Sequence, residues 1–324
     1  MSRLQGTRLL ETFLDAPRAT TADLKPGSIA VLGLPHDASK LSRRGAAEAP
    51  RAIREATSMF HFAVTEMAAG EVVDIDRERA YRWTGTEIFD LGDLELGDDV
   101  DANLERISDT VEAVAAKGAL PVVLGGDHLV TYPTVRGLAR TFEAPPSYLH
   151  IDMHLDLAHS VPGYGRHASG TPVRRLIAAG ALDPVRVAIV GVEGFQHRNE
   201  WSYAQETALA VVSAAGLRRE GMRATLERLY EERLAGAEAG VYVSLDIDVL
   251  ARAFAPGTGN AVGAAGLLPE ELVELVEVVA GWPLAGIDLV EVAPRLDPTG
   301  RTPALAAALL VEALHPRLFT AVAW

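Results

Sequence analysis

The chain has 324 residues, of which 48% are hydrophobic, and a formal net charge of −14 at pH 7. This size suits one large α/β domain or two modest ones, whereas the acidic charge argues against a nucleic-acid partner, because affinity for phosphate backbones comes largely from Lys and Arg. The chain contains no cysteine, which excludes disulfides and Cys-ligated zinc or iron–sulfur sites and leaves His and carboxylates as metal ligands.

Short apolar runs alternate along the sequence with longer segments in which apolar residues recur at helical spacing. The short runs predict strands at residues 29–34, 88–91, 121–124, 148–151, 187–192, 209–212, 241–247 and 285–290. The longer segments predict helices at residues 46–56, 100–117, 131–140, 171–179, 221–234, 269–280 and 302–314. This alternation predicts a three-layer α/β/α fold with a mostly parallel central sheet of about eight strands.

No repeat and no linker rich in Pro, Gly or Ser divides the sequence, so residues 1–324 are predicted to form a single domain. Residues 1–13 lack the apolar stretch of a signal peptide, and the apolar run at 304–311 is too short to span a bilayer. We therefore expect a cytoplasmic protein without a membrane partner.

Parallel sheets place their ligand sites at the carboxyl ends of the strands, and two predicted strand ends carry closely spaced acidic residues. Asp152, His154 and Asp156 follow the fourth predicted strand and share one face if the backbone stays extended. Asp246 and Asp248 repeat the same two-residue spacing at the end of the seventh. Such carboxylates are costly to bury unless positive charge neutralises them.

A third predicted strand ends in Gly125-Gly-Asp-His128, where the glycines permit a tight turn that presents His128 at the same edge. Taken singly, an Asp at a strand end is more often a turn or helix N-cap residue, and we favour that role for Asp127. A lone buried His is more often a hydrogen-bonded core residue than a ligand. We keep that interpretation for His36, His61, His197 and His315.

The coincidence of four carboxylates and two imidazoles at three strand ends is harder to explain without a metal. Four like charges cannot remain ionised together without compensating cations, and two divalent ions would cancel them. The sequence therefore predicts a metal site built from His128 and the acidic residues of the two other motifs.

The chain resembles the ureohydrolases, the superfamily of arginase, agmatinase, guanidino-acid hydrolases and formimidoylglutamase. The resemblance covers nearly the full length. It rests on Gly125-Gly-Asp-His128, Asp152-Met-His-Leu-Asp156, Ser244-Leu-Asp-Ile-Asp248 followed by Ala253-Phe-Ala-Pro-Gly-Thr-Gly259, and Asp288-Leu-Val-Glu-Val-Ala-Pro294. It implies an arginase-like domain with two Mn²⁺ ions per chain, which carboxylate and imidazole ligands suit, with Ni²⁺ or Zn²⁺ as alternatives.

The resemblance also assigns the ligands position by position, with two carboxylates bridging both ions. One ion would be held by His128, Asp152, Asp156 and Asp246, and the other by Asp152, His154, Asp246 and Asp248.

The reaction implied is hydrolysis of a carbon–nitrogen bond by an enzyme of the class that acts on linear amidines. A water that bridges two ions is acidified enough to act as hydroxide near neutral pH and would attack the central carbon of a guanidino substrate. By family analogy, Asp156 carries a proton to the departing nitrogen, and Glu291 pairs with the planar cation of the substrate. The leading interpretation is an agmatinase-like or guanidino-acid hydrolase that releases urea and an amine.

Departures from the family pattern concern the substrate more than the reaction. Ser169 precedes Gly170-Thr-Pro172 where the family commonly has His, so His167, two residues earlier, becomes the candidate for the proton-shuttling role. The Ser-Gly-Thr-Pro sequence and residues 295–302 are similar to formimidoylglutamase, which would act on a formimidoyl compound and release formamide.

Two further alternatives are less favoured. A zinc deacetylase-like enzyme would use one metal and a paired-His site, which we do not find in the sequence. A non-catalytic partner subunit would be expected to lose ligands, whereas all six are present. The resemblance implies a homotrimer or homohexamer as the assembly.

Overall fold

The computed structural model describes residues 10–40, 42–60, 71–260 and 265–323. The strands within these ranges are β1 (Ile29–Gly33), β2 (Glu71–Asp74), β3 (Arg79–Trp83), β4 (Ile88–Asp93), β5 (Leu120–Leu124), β6 (Ser147–Ile151), β7 (Val187–Val192), β8 (Ala210–Ser213), β9 (Val241–Asp246), β10 (Leu284–Val290) and β11 (Phe319–Val322). The α-helices are α1 (Ala49–Ala56), α2 (Val100–Ala115), α3 (Thr131–Ala139), α4 (Pro172–Ala178), α5 (Arg198–Glu206), α6 (Ala214–Glu220), α7 (Met222–Leu229), α8 (Pro269–Ala280) and α9 (Arg301–Leu318).

Eight of the strands form one sheet in the order β4-β1-β5-β10-β9-β6-β7-β8. Every neighbouring pair in this sheet is parallel. These strands match the eight predicted from the sequence, with ends that agree to within two residues. The predicted parallel sheet is therefore confirmed.

Helices cover both faces of this sheet, as the apolar strands require. In β5, the buried side chains of Val122 and Leu124 pack into one apolar cluster, and Val123 packs into another on the opposite face, because successive strand residues point to opposite faces. Residues of α1, α8 and α9 contribute to the first cluster, and residues of α2, α3 and α4 contribute to the second. The predicted three-layer arrangement is confirmed.

Some elements were not predicted. β2, β3 and β11 form a small antiparallel sheet, whose strand β2 alternates exposed and half-buried residues in place of the apolar runs that identify the other strands. α5 has only Glu200 and Ala204 as buried residues, so its apolar spacing is too sparse to predict a helix. No helix in the described ranges is both long and apolar enough to cross a membrane. The single-domain organisation stays a prediction.

Candidate metal centre

Four neighbouring strands in the middle of the sheet bring the candidate residues to one edge. His128 follows β5, Asp152 follows β6, Asp246 ends β9 and Glu291 follows β10. The order of these strands is β5-β10-β9-β6. Because all four are parallel, their carboxyl ends lie side by side, where parallel sheets hold their ligands.

The imidazole of His128 lies at the centre of the first group of ligands. Its Nδ1 atom is 3.1 Å from an Oδ2 atom of each of three carboxylates: Asp152, Asp156 and Asp246. All four residues are buried. Three carboxylate oxygens around one ring nitrogen leave a negatively charged cage that a cation can fill.

A second group shares Asp152 with the first. The Nδ1 atom of His154 lies 3.2 Å from Oδ1 of Asp152 and 3.4 Å from Oδ2 of Asp248. Asp152 thus directs one oxygen to each group, because its Oδ2 atom faces His128. This sharing is the arrangement expected of a carboxylate that bridges two ions.

The donor set fits two divalent cations, as several buried polar atoms have no hydrogen-bond partner within the described residues. These atoms are Nδ1 of His128, Nε2 of His150, Oδ2 of Asp152 and both carboxylate oxygens of Asp248. Buried polar atoms are nearly always paired, and buried carboxylates that are unpaired are especially costly. Metal ions would satisfy these atoms and neutralise the carboxylates at once.

The pKa shifts in the metal-free cage report the same excess of negative charge. Burial lowers the pKa of His128, but Asp156, Asp152 and Asp246 outweigh it and raise that pKa well above its ordinary value. Burial and the neighbouring Asp246 carboxylate raise the pKa of Asp248 well above its ordinary value. Protons thus compensate the cage when cations are absent.

A buried hydrogen-bond chain fixes the orientation of the His128 ring. The Ser244 hydroxyl donates to Oδ1 of Asp288 at 2.7 Å, and it lies 2.9 Å from Nε2 of His128. Because the single hydroxyl proton of Ser244 is committed to Asp288, Ser244 accepts a hydrogen bond from the Nε2–H group. In the neutral form of the ring, which is the form that binds a metal, the lone pair is therefore on Nδ1, which faces the carboxylates.

Asp127 positions the neighbouring loop. Its carboxylate accepts hydrogen bonds from the Ser39 amide at 3.1 Å and from the Ser39 hydroxyl at 2.5 Å, and it contacts Nδ1 of His36 at 3.2 Å. It also caps the single 3₁₀ turn that begins at His128. A Cβ atom at Gly126 would lie 1.9 Å from the carbonyl oxygen of His36, so only glycine permits this close approach. The predicted capping role of Asp127 is confirmed.

Glu291 and Asp156 both have positive φ, 69° and 52°, a conformation that is rare outside glycine. Such strain is retained where the surroundings determine it, often at functional sites. The Glu291 amide donates to the carbonyl of Gly126 at 2.8 Å, and its Oε1 atom accepts from the His128 amide at 3.0 Å. Oε2 of Glu291 forms a buried ion pair with Lys40.

A cavity of about 480 Å³ opens onto this edge. The predicted site residues that line it are His128, Asp156 and Asp246 of the first group, His154 of the second group, and Glu291. Its volume falls in the range typical of small-molecule sites. The rest of the wall comes from loop and α5 residues: Ala158, Ser160, Val161, Pro162, Ser169, Gly170, Phe195, Gln196, His197, Asn199, Glu200 and Asn260.

The structure does not bring His167 to this cavity. Its Nε2 atom lies 3.0 Å from Oδ1 of Asp101 in the first turn of α2, where the pair is partly exposed. Ser169 and Gly170 line the cavity in that part of the chain instead. The contact with Asp101 places the imidazole outside the cavity lining, and the proton-shuttling role of His167 stays a prediction.

Three residues at the site were not singled out from the sequence. Nε2 of buried His150 lies 3.1 Å from Oδ2 of Asp152, and its ring stacks on that of His128. The two-residue spacing of positions 150, 152 and 154, which runs from the end of β6 into the loop after it, could have indicated His150. Lys40 and Glu200 also reach the site, but they lie in a loop and on α5, and no spacing pattern links them to the strand ends.

The chain is similar to known proteins over most of its length. The sequence profile of the arginase family matches residues 27–315. The chain is 34% identical over 308 residues to a guanidinopropionase of Pseudomonas aeruginosa, covering 94% of this chain and 91% of that protein. It is 33% identical over 287 residues to a mitochondrial guanidino acid hydrolase of Homo sapiens, covering 88% of this chain and 77% of that protein.

A solved structure shares the fold over almost the whole chain. The proclavaminate amidino hydrolase of Streptomyces clavuligerus superposes with a TM-score of 0.81 at 28% sequence identity. The match covers 96% of this chain and 98% of that one.

Proposed function

This chain belongs to the arginase family of hydrolases, in which its relatives include a guanidinopropionase and a guanidino acid hydrolase, and we propose that it cleaves a guanidino compound to urea and an amine at a binuclear manganese site. The observation that carries this proposal is the shared carboxylate. Asp152 joins the group around His128 to the group around His154, and both open into the cavity that Glu291 lines.

The residues that would hold the ions are His128, Asp152, Asp156, Asp246, His154 and Asp248. Oxygen and imidazole ligands without sulfur suit Mn²⁺, with Ni²⁺ and Zn²⁺ as alternatives. When bound, two divalent ions supply a water nucleophile that is acidic enough to react near neutral pH.

The protein's own contribution is to orient the substrate and to manage protons. Glu291 would accept N–H groups of the planar cation and hold its carbon over the ligand cage. Asp156 lines the cavity beside His128, and its carboxylate would carry a proton to the departing nitrogen. The ring of His128 is fixed by Ser244, so the cage keeps its shape through the reaction.

The wall formed by residues 195–200 would contact the tail of the substrate. His197 is exposed and lines the cavity, so its interpretation as a buried core residue was wrong. The side chains of His197 and Asn199 offer donors for a carboxylate tail, whereas buried Glu200 offers an acceptor for an amine tail. Burial and the nearby Asp156 carboxylate raise the pKa of Glu200, whose Oε2 atom accepts from the Leu157 amide at 3.1 Å. Guanidino acids and guanidino amines such as agmatine are therefore the two tail classes to compare.

The test is to incubate manganese-loaded protein with guanidino acids, guanidino amines and formimidoyl compounds, and to identify urea, formamide or ammonia by mass. We expect urea in stoichiometric amounts with the amine product from at least one guanidino compound. Absence of urea from every guanidino compound, with the ions bound, would overturn the proposal.

A second candidate is formimidoylglutamase, which would release formamide. It is favoured by Ser169, which lines the cavity in the Ser-Gly-Thr-Pro segment. Arg295, in the other segment that is similar to this enzyme, contacts Glu48 and does not line the cavity. Product identity separates the two candidates. A cytoplasmic location and a homotrimeric or homohexameric assembly also belong to the proposal.

A further inference from the structure

Both carboxylate oxygens of Glu291 already have partners within the chain. Oε1 accepts a hydrogen bond from the His128 amide at 3.0 Å, and Oε2 pairs with the ammonium group of Lys40. Lys40 is 2% exposed and Glu291 1% exposed, so the ion pair is shielded from water. The residue proposed to grip the substrate cation is therefore neutralised by an internal cation.

The surrounding structure fixes this lysine in place. The adjacent Ser39 is anchored to Asp127 through its amide and its hydroxyl. The stem of Lys40 packs so closely on Gly259 that a Cβ atom there would lie 2.5 Å from Cε of Lys40. A buried lysine is costly unless it is paired, which means that Lys40 gains its stability in this position from Glu291.

A guanidinium group binds a carboxylate best through two parallel N–H donors, one to each oxygen. A lysine ammonium is a point charge that occupies one oxygen and provides no planar fork. With Lys40 in place, a guanidinium that enters the cavity meets a carboxylate whose charge is compensated and whose Oε2 atom is taken.

We propose that Lys40 is a specificity-determining residue that competes with the substrate cation for Glu291. This inference rests on the function proposed above, in which Glu291 receives that cation. A guanidinium must displace the ammonium group from Oε2, and the cost of breaking the buried ion pair is subtracted from its binding. A ligand with a single ammonium group cannot form two parallel hydrogen bonds to Glu291. It therefore gains nothing by replacing Lys40 and should not bind at Glu291.

The test measures binding of methylguanidinium to manganese-loaded protein by calorimetry, independently of turnover. Lys40→Met removes the competing charge and should lower the Kd about tenfold or more, as expected when a charge-assisted bond becomes available. Lys25→Met is the matched control, because Lys25 pairs with Glu87 at the surface, and its Kd should equal that of the wild type. An unchanged or higher Kd in Lys40→Met would overturn the inference.

Lys40→Met leaves Glu291 unpaired and could prevent folding, so two more variants test the inference independently of it. Lys40→Gln keeps a donor to Glu291 without the charge and should also lower the Kd, and an unchanged value overturns the inference. In a Lys40→Gln/Glu291→Gln double variant the gain should disappear, since it acts through Glu291, and a gain that persists contradicts the proposal.

The outcome is separable from that of the proposed function. If the Lys40 variants bind methylguanidinium more tightly but no compound yields urea, the role of Lys40 is supported and the proposed reaction is contradicted. Urea release by the wild type, with an equal Kd for methylguanidinium in all variants, would support the proposed reaction and contradict the role of Lys40.

Discussion

Nδ1 of His128 lies 3.1 Å from Oδ2 of Asp246, although His128 follows β5 and Asp246 ends β9, and these two strands are not neighbours in the sheet. Strand β10 separates β5 from β9, so the chain after β5 must cross the end of β10 to make this contact. The amide of Gly125 donates to the carbonyl of Leu289 in β10 at 2.9 Å, so the chain is still paired with β10 at Gly125. The sheet thereby gathers carboxylates from the ends of β6 and β9 around the imidazole that follows β5.

Loss of the hydrogen bond from His128 to Ser244 should lower the affinity of the protein for metal ions. Ser244→Ala removes the acceptor that holds the Nε2–H group, and loss of such a partner typically weakens metal binding by about 10- to 100-fold. Titration with manganese should show this weakening. Ser147→Ala is the matched control, because its buried hydroxyl lacks a hydrogen-bond partner in the described part of the chain and lies at the other end of β6. Equal affinity in the two variants would contradict the role of Ser244.

Glu291 and Asp248 should separate substrate orientation from metal binding. Glu291→Gln should keep both ions but lower turnover by about two orders of magnitude, because a neutral amide loses the charge-assisted hydrogen bonds to the substrate cation.

Asp248→Asn should first weaken occupancy of the ion that His154 and Asp248 would hold together. Metal content and steady-state kinetics on the best substrate measure both effects. If Glu291→Gln lost metal or kept full turnover, the placement of the substrate cation would be wrong.

Removal of the ions should lower thermal stability as well as activity. Without cations, four buried carboxylates face one another around His128 and His154. A ligand that binds only the folded state stabilises it by mass action, and we expect chelation to lower Tm by roughly 5 °C or more. Thermal melts with and without a chelator, followed by remetallation, measure the difference. An unchanged Tm after complete metal removal would argue against a buried metal cage.

The metal-free protein should lose stability as the pH rises. Burial lowers the pKa of His154, but Asp248 and Asp152 outweigh it and raise the pKa from 6.5 to about 11. The folded state therefore holds this proton more tightly than the unfolded chain, so the stabilisation is complete below pH 6.5 and is lost as the pH rises toward 11. The raised pKa of Asp248 acts in the same direction.

We accordingly expect the Tm of chelated protein to fall between pH 6.5 and about pH 9, whereas the loaded protein, whose ligands are already deprotonated, should change less. Differential scanning calorimetry of both forms in the same buffers provides the comparison. A Tm of the chelated form that rises over this range would contradict the assignment.

Short apolar runs in the sequence were sufficient to predict the eight parallel strands, and the spacing of acidic residues at two strand ends indicated candidate ligands, whereas the assignment of each ligand came from the family resemblance. Asp152, His154 and Asp156 follow one strand at two-residue spacing, and the sheet then sets their common edge. His150 obeys the same alternation but lies within the strand, where a buried polar residue is easily assigned to the core.

Contacts between loops could not be predicted in this way. The pairing of Lys40 with Glu291 joins positions 251 residues apart, and it depends on how Ser39 docks against Asp127. The position of His167 depends on a turn whose Gly163 and Gly165 have positive φ and on the ion pair with α2. Such geometry follows from tertiary packing, and a motif alone does not specify it.

The proposed site at one edge of the sheet would hold two divalent ions with Asp152 and Asp246 as shared ligands, and the metal content of the loaded protein tests this proposal most directly. Elemental analysis after manganese loading and desalting should give about two Mn²⁺ per chain, as a two-metal hydrolytic site requires. Asp246→Ala should lower that value clearly. A firm value of about one in the wild type, or a content that Asp246→Ala leaves unchanged, would contradict the binuclear site.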